Sequence, residues 1–221
     1  IRVDTERNIV CGDTYHFTSV GMFGTVVSAV VSGGAGGGVI GGGGGGLFGG
    51  ALGNPEGYLP NNSVIYRLPP VKGWQEGQFY VDGIWRAWPE ALAFAGEQGG
   101  EVVLPYSAVS VNAVLAPTAD LVESALNIKP TEADPVVEVV QDGRFLTNIQ
   151  AGSDVVFGEN GRTFVRVDRP RMVNLVHNPD FASHTMRLTF QARGLAVYAF
   201  TFTGCVASPS DRQDSNTFRV P

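Results

Sequence analysis

Two stretches late in the chain alternate between apolar and polar positions. In His184–Phe190, HTMRLTF, Met186, Leu188 and Phe190 alternate with Thr185, Arg187 and Thr189, which is the period of a half-buried strand. In AVYAFTFT, Ala196–Thr203, Tyr198, Phe200 and Phe202 are expected on one face and Val197, Ala199 and Thr201 on the other. Upstream, short apolar runs separated by Gly, Pro, Asn and Asp predict further strands. These are Gln78–Asp82, Ala91–Ala95, Val102–Tyr106, Ser110–Leu115, Val136–Gln141, Asp154–Phe157, Thr163–Val167 and Met172–His177, followed by His184–Gln191 and Ala196–Thr203. Asp142-Gly143 and Asn160-Gly161 predict hairpin turns. One short helical stretch is expected at Thr118–Asn127. Many short strands carrying aromatic residues predict an all-β fold, an antiparallel β-sandwich or jelly roll, over residues 71–204.

The first 70 residues have a different texture. Ile1–Phe17 alternates weakly and is expected as an edge strand, and Ser19–Val31 is apolar and β-branched. Between Gly33 and Gly53, 14 of 21 residues are glycine, and the rest include Val39, Ile40, Leu47 and Phe48. No Asp, Glu, Lys or Arg occurs from Thr14 to Pro55, longer than the ~20 residues that cross a bilayer. Glycine disfavours a helix by ~1 kcal/mol per residue relative to Ala, and irregular backbone is not tolerated against lipid. A membrane contact is therefore open but a spanning segment is not expected. Glycines punctuated by Val39, Ile40, Leu47 and Phe48 allow close backbone approach with a few apolar anchors, so residues 33–53 read as an assembly element. Residues 54–70 read as a turn-rich connector and 205–221 as a polar tail.

Composition narrows the function. The net charge is −6 and only Lys72 and Lys129 are lysines, a balance unlike that of nucleic-acid binders. The one basic run, Arg166 to Arg171, reads as a strand end and turn. Cys11 and Cys205 are the only cysteines, either free thiols or a single bridge, with export favouring the bridge. The start at Ile1 reads as a processed or a trimmed end. No CxxC, phosphate-loop or zinc-protease motif is present, and no carboxylate pair is spaced for acid–base work. His177 and His184 bracket NPDFAS at no standard metal spacing, and read as exposed hairpin residues. No metal, cofactor or catalytic residue is expected. Trp74 and Trp88 are candidates for a sugar-stacking platform with Tyr80 and Tyr106, whereas Trp85 reads as core.

GIWRAWPE (Gly83–Glu90), DRPRMVNLV (Asp168–Val176) and GLAVYAFTF (Gly194–Phe202) resemble the C-terminal β-sandwich module of DipZ-type cytochrome c biogenesis and thioredoxin-family proteins. The resemblance runs from about Trp74 to Gly204. It implies a carbohydrate-binding-like sandwich and a periplasmic or extracellular location. It brings no catalytic residue, and the chain has neither a preceding thioredoxin domain nor a CxxC. The expectation is a non-catalytic accessory subunit that docks into a homomeric or membrane-associated assembly through its glycine-rich region. A carbohydrate-binding module and an accessory to a periplasmic thiol or electron-transfer complex are the alternatives.

Overall fold

Alternation along the chain becomes sheet throughout the computed structural model, which describes residues 3–4, 9–10, 51–89, 91–120, 123, 126 and 135–203. Cys11, Cys205, Val39, Ile40, Leu47, Phe48, the run 19–31 and the tail 205–221 lie outside the described residues. The strands are β1 (Val3–Asp4), β2 (Ile9–Val10), β3 (Ala51–Leu52), β4 (Ser63–Tyr66), β5 (Gln78–Trp88) and β6 (Ala91–Phe94). They continue as β7 (Gly100–Ala116), β8 (Val136–Gln141), β9 (Arg144–Phe145), β10 (Val156–Phe157), β11 (Thr163–Arg166), β12 (Arg171–Phe190) and β13 (Ala196–Thr203). β1 and β2 form a separate antiparallel ladder.

All the other strands belong to one folded-over sheet in which long strands serve two layers. In the first layer β8 pairs with the second half of β12, which pairs with the first half of β7, which pairs with the start of β5. In the second layer the first half of β12 pairs with the second half of β7, followed by β13, β6, the end of β5 and β4. The architecture is an all-β sandwich closed along one side by β5. Runs expected as separate strands are therefore fused: Val102–Tyr106 with Ser110–Leu115 in β7, and Met172–His177 with His184–Gln191 in β12.

Between the layers lies a continuous core centred on Trp85, which is 0% exposed. Its indole packs on Phe94 at 5.5 Å and edge-on against Phe190 at 5.0 Å, favoured geometries for aromatic pairs. The indole N–H donates to the Asp82 carbonyl at 2.8 Å, so burial strands no donor. The GIWRAW signature now has a cause. Gly83 takes φ +101°, a value side chains rarely adopt, where β5 passes from β7 to β4 and β6. Gly100, opposite Phe190, lets the backbone lie on the ring pair: a Cβ there would strike Phe94 and sit 3.0 Å from Trp85 Cζ2.

Met186, Leu188 and Phe190 all point into this core, as their alternation predicts. In β13 the expectation needs correcting. A register shift between Val197 and Ala199 breaks the alternation, so Val197 joins Phe200 and Phe202 in the main core. Tyr198 packs instead with Trp88 against a smaller cluster of Ala91, Ala93, Ala119 and Ala196. A bulge inserts one residue and reverses the faces before it. Residues 51–70 also belong to the sandwich, because β3 and β4 pair with β5 and Tyr66 is fully buried. The body thus begins earlier than residue 71.

Both expected turns are present, with Asp142 at φ 51° and Gly143 at 74°, and Asn160 at 56° and Gly161 at 74°. The basic run forms the end of β11 and the start of β12, where Arg171 pairs with Asp154 at 2.7 Å. Burial pushes the Asp154 carboxyl up, but the Asn174 N–H and the Arg171 guanidinium outweigh it and hold it below its usual range. At Thr118–Asn127, Thr118 donates to Glu123 and the Glu123 N–H donates to Asp120, a helix-start pattern. Residues 121, 122, 124, 125 and 127 of that stretch lie outside the described residues.

Gly100→Ala is expected to destabilise the fold by about 1–3 kcal/mol through overpacking. Gly73→Ala, where a Cβ meets nothing within 4 Å, serves as the control. A lower urea midpoint for the first and an unchanged one for the second is the expected pair of results.

Candidate functional site

The register of β12 against β7 breaks in its middle. His177 lies opposite Ser110 and Ala182 opposite Ala108, so residues 178–181 face only Val109. Extra residues in one strand leave backbone unpaired and re-aim the side chains that follow. Asn178 turns inward here and is 2% exposed. Its amide donates to the Tyr106 hydroxyl at 3.2 Å and the Ala108 carbonyl at 3.4 Å. Gln141 donates to Asn178 Oδ1 at 2.9 Å, and the Tyr106 hydroxyl donates to Gln141 Oε1 at 2.5 Å. Three polar side chains thus close a ring inside an otherwise apolar core, an arrangement that is favourable only when every member is satisfied. Pro179, Asp180 and Phe181 are exposed outside it.

Beyond the bulge, Ser183, His184 and Thr185 stand opposite Ser107, Tyr106 and Pro105. The β8–β9 turn brings Asp142 to them. Its backbone N–H donates to the Thr185 carbonyl at 2.9 Å, and its Oδ1 accepts the Thr185 N–H at 2.8 Å. Asp142 Oδ2 lies 2.7 Å from His184 Nδ1. The His184 ring rests on Tyr106 with centroids 5.8 Å apart, and its side chain is only 18% exposed. Ser183 and Ser107 hydroxyls lie 2.8 Å apart, and Ser107 donates to Glu76 Oε2 at 3.0 Å. Together Glu76, Pro105, Tyr106, Asp142, Ser183, His184 and Thr185 line a cleft of about 240 Å³.

A carboxylate only accepts, so Asp142 holds the proton on His184 Nδ1 and leaves Nε2 as an acceptor in the neutral ring. No serine hydroxyl among the described residues bonds to Nε2; Ser183 and Ser107 are joined to each other and to Glu76 instead. The nucleophile–base contact of a catalytic triad is therefore not formed. The cleft presents two carboxylates, an imidazole lone pair and two hydroxyls.

His177, which is exposed, and His184, which is half-buried, do not flank the turn of a hairpin: both lie in β12, on either side of its four-residue bulge. His177 Nδ1 lies 2.7 Å from Ser110 Oγ, His184 is on Asp142, and among the described residues no cluster of three metal-ligating side chains occurs. Trp74 stacks on Tyr80 at 5.9 Å near the start of β5. Trp88, under the Arg86 guanidinium at 4.6 Å, stands at its other end. Tyr80 and Tyr106 are buried, so the four do not share one exposed platform. Sequence reading did not single out Asp142, Glu76, Ser107 or Ser183 as a site. Asp142 and His184 are 42 positions apart, and only the strand register joins them.

The family described as the thioredoxin-like C-terminal domain matches residues 49–203, in accord with the three signatures and with the sandwich beginning at β3. No curated protein matches the sequence. Among solved structures, a family two carbohydrate esterase from Cellvibrio japonicus is 13% identical, with a TM-score of 0.34. That alignment covers 54% of this chain and 29% of the esterase chain.

Burial pushes the Tyr106 hydroxyl up, opposed by the Asn178 hydrogen bond and reinforced by Asp142. Burial and Tyr66 push Tyr58 up to about 12, and burial and Glu56 raise Tyr66. These hydroxyls hold their protons more tightly when folded, so their contribution is complete below the unfolded value of about 10 and is lost as pH rises beyond it. Urea stability is expected to fall above about pH 10. Tyr106→Phe should make that fall shallower and cost about 1–3 kcal/mol at neutral pH, the scale of buried groups left unpaired. An unchanged alkaline slope would contradict the ring's role.

Proposed function

We propose that this chain, which belongs to the thioredoxin-like C-terminal domain family, is a non-catalytic accessory module that joins a larger protein assembly through the glycine-rich run before β3. The observation that carries this reading is how the end of that run is fastened. Ala51 and Leu52 pair in parallel with Gln78 and Phe79, and the Gly53 N–H donates to the Phe79 carbonyl at 2.9 Å. Asn54 then acts as a substitute strand. Its Oδ1 accepts the Val81 N–H at 2.8 Å, and its amide donates to the Val81 and Arg67 carbonyls, both at 2.9 Å. Leu52 packs against the main core. An arm rooted this firmly in a sheet edge fixes where a bound partner sits, which a free linker does not. The reading includes a periplasmic or extracellular location and a Cys11–Cys205 bridge, and assigns no thiol exchange, since no CxxC is present.

A second reading, binding of a small polyhydroxylated ligand such as a glycan, is favoured by the cleft lined by Asp142 and His184. Concave sites with a few convergent polar groups are the usual form of small-ligand sites. Its location differs from the Trp74 and Trp88 positions expected from the sequence.

Native mass spectrometry of gently purified protein tests the first reading. The intact chain is expected in an assembly well above 23.4 kDa, and a variant lacking residues 33–50 is expected as a single chain. An assembly that survives the deletion would refute the docking role. Asn54→Ala should weaken the assembly and also lower stability by about 1–3 kcal/mol, because it leaves the buried Val81 groups unpaired.

A further inference from the structure

We infer that the cleft selects a small ligand carrying a protonated primary amine alongside hydroxyls, an aminohexose being the simplest case. This rests on the second reading above and adds the charge that the ligand must bring. Glu76 and Asp142 place two carboxylates in the lining, and no Lys or Arg is among the lining residues. Anionic ligands are repelled by such a site and cations attracted.

The hydrogen-bonding capacity points the same way. Carboxylates accept only, and His184 Nε2 is an acceptor while Asp142 holds Nδ1–H. The Ser107 hydroxyl is committed to Glu76 and Ser183. Apart from the Thr185 hydroxyl, the cleft presents acceptors, which favours a ligand that donates. An ammonium group brings three donors and a positive charge; ring hydroxyls bring further donors, and an apolar ring face fits against Pro105. The cleft is open to solvent and its volume of about 240 Å³ has room for one small ring.

Three observations separate this cleft from an ordinary surface dent. The four-residue excursion of β12 delivers Ser183 and His184 to their places. The buried ring of Asn178, Gln141 and Tyr106 holds that excursion from below. Asp142 is fixed by two backbone bonds besides the imidazole. Rigid support of this kind is what a recognition site needs.

The test is an amide chemical-shift titration of the full chain with glucosamine, glucose and N-acetylglucosamine in parallel. Glucosamine is expected to shift residues 105–107 and 183–185 and to bind about five- to tenfold more tightly than the two neutral sugars, the scale of two partly exposed ion pairs. Glu76→Gln, at an exposed position whose only described bond comes from Ser107, should fold normally and bring glucosamine down to within about two- to threefold of glucose, the preference left by the Asp142 carboxylate alone. Equal binding of all three sugars at the cleft would overturn the amine preference and leave the polyol reading standing. Shifts confined to other residues, or no binding by any sugar, would overturn both. A preference that persists unchanged in Glu76→Gln would overturn the role of the carboxylates.

Discussion

A strand that changes partners halfway along its length must still satisfy its backbone amides, and three strands here do so. β5, β7 and β12 each contribute to both layers of the sandwich. At each corner the ladder is interrupted, and a buried N–H or C=O without a partner costs free energy comparable to a lost hydrogen bond. Side-chain amides fill two of the gaps. Asn54 takes both the N–H and the C=O of Val81, and Asn178 reaches the Ala108 carbonyl across the β12 bulge. Gly83 supplies the third device, a backbone angle that lets β5 turn the corner. With the corners satisfied, one core runs unbroken from Phe79 and Trp85 to Phe190 and Phe200.

The same constraint builds the cleft. Four residues looped out of β12 set which side chains emerge beyond the loop, since a shift of one residue in register moves every following side chain to the opposite face. Met186, Leu188 and Phe190 reach the core only in this register, and in the same register His184 meets Asp142 and Ser183 meets Ser107. Core packing and site assembly are thus selected by one choice of pairing. The polar ring beneath exchanges apolar contact for a fixed geometry of the strand above it.

Much of the fold was legible in local pattern, and the site much less so. The alternation of Met186, Leu188 and Phe190 and the Asp-Gly and Asn-Gly turns report local geometry, which neighbouring residues determine. The fusion of Met172–His177 with His184–Gln191 was hidden because Asn178, Pro179 and Asp180 are typical turn residues, and they serve equally well in a loop that returns to its own strand. Tyr198 was misplaced because a bulge has no composition of its own. β4 is four residues long among Asn and Pro, too short for alternation to stand out. Asp142 and His184 were each visible, one as a turn residue and one as a strand end, but their meeting depends on the pairing of β8 with β12. Long-range register is what a single sequence conceals.

Docking and ligand recognition, as proposed, share one corner of the molecule. Ala51 and Leu52 are fastened to the first two residues of β5, and Glu76 lies two residues before that strand. The link between them is Tyr80. Its hydroxyl accepts the Gln75 N–H at 2.9 Å and donates to the Gly73 carbonyl or to Gln78 Oε1, at 3.2 and 2.6 Å, while Trp74 stacks on its ring. Gly53 abuts the same ring so closely that a Cβ would collide with it. The segment that carries Glu76 into the cleft is therefore shaped by the side chain on which the glycine-rich arm ends. Trp74, through its stacking on Tyr80, braces the turn that presents Glu76.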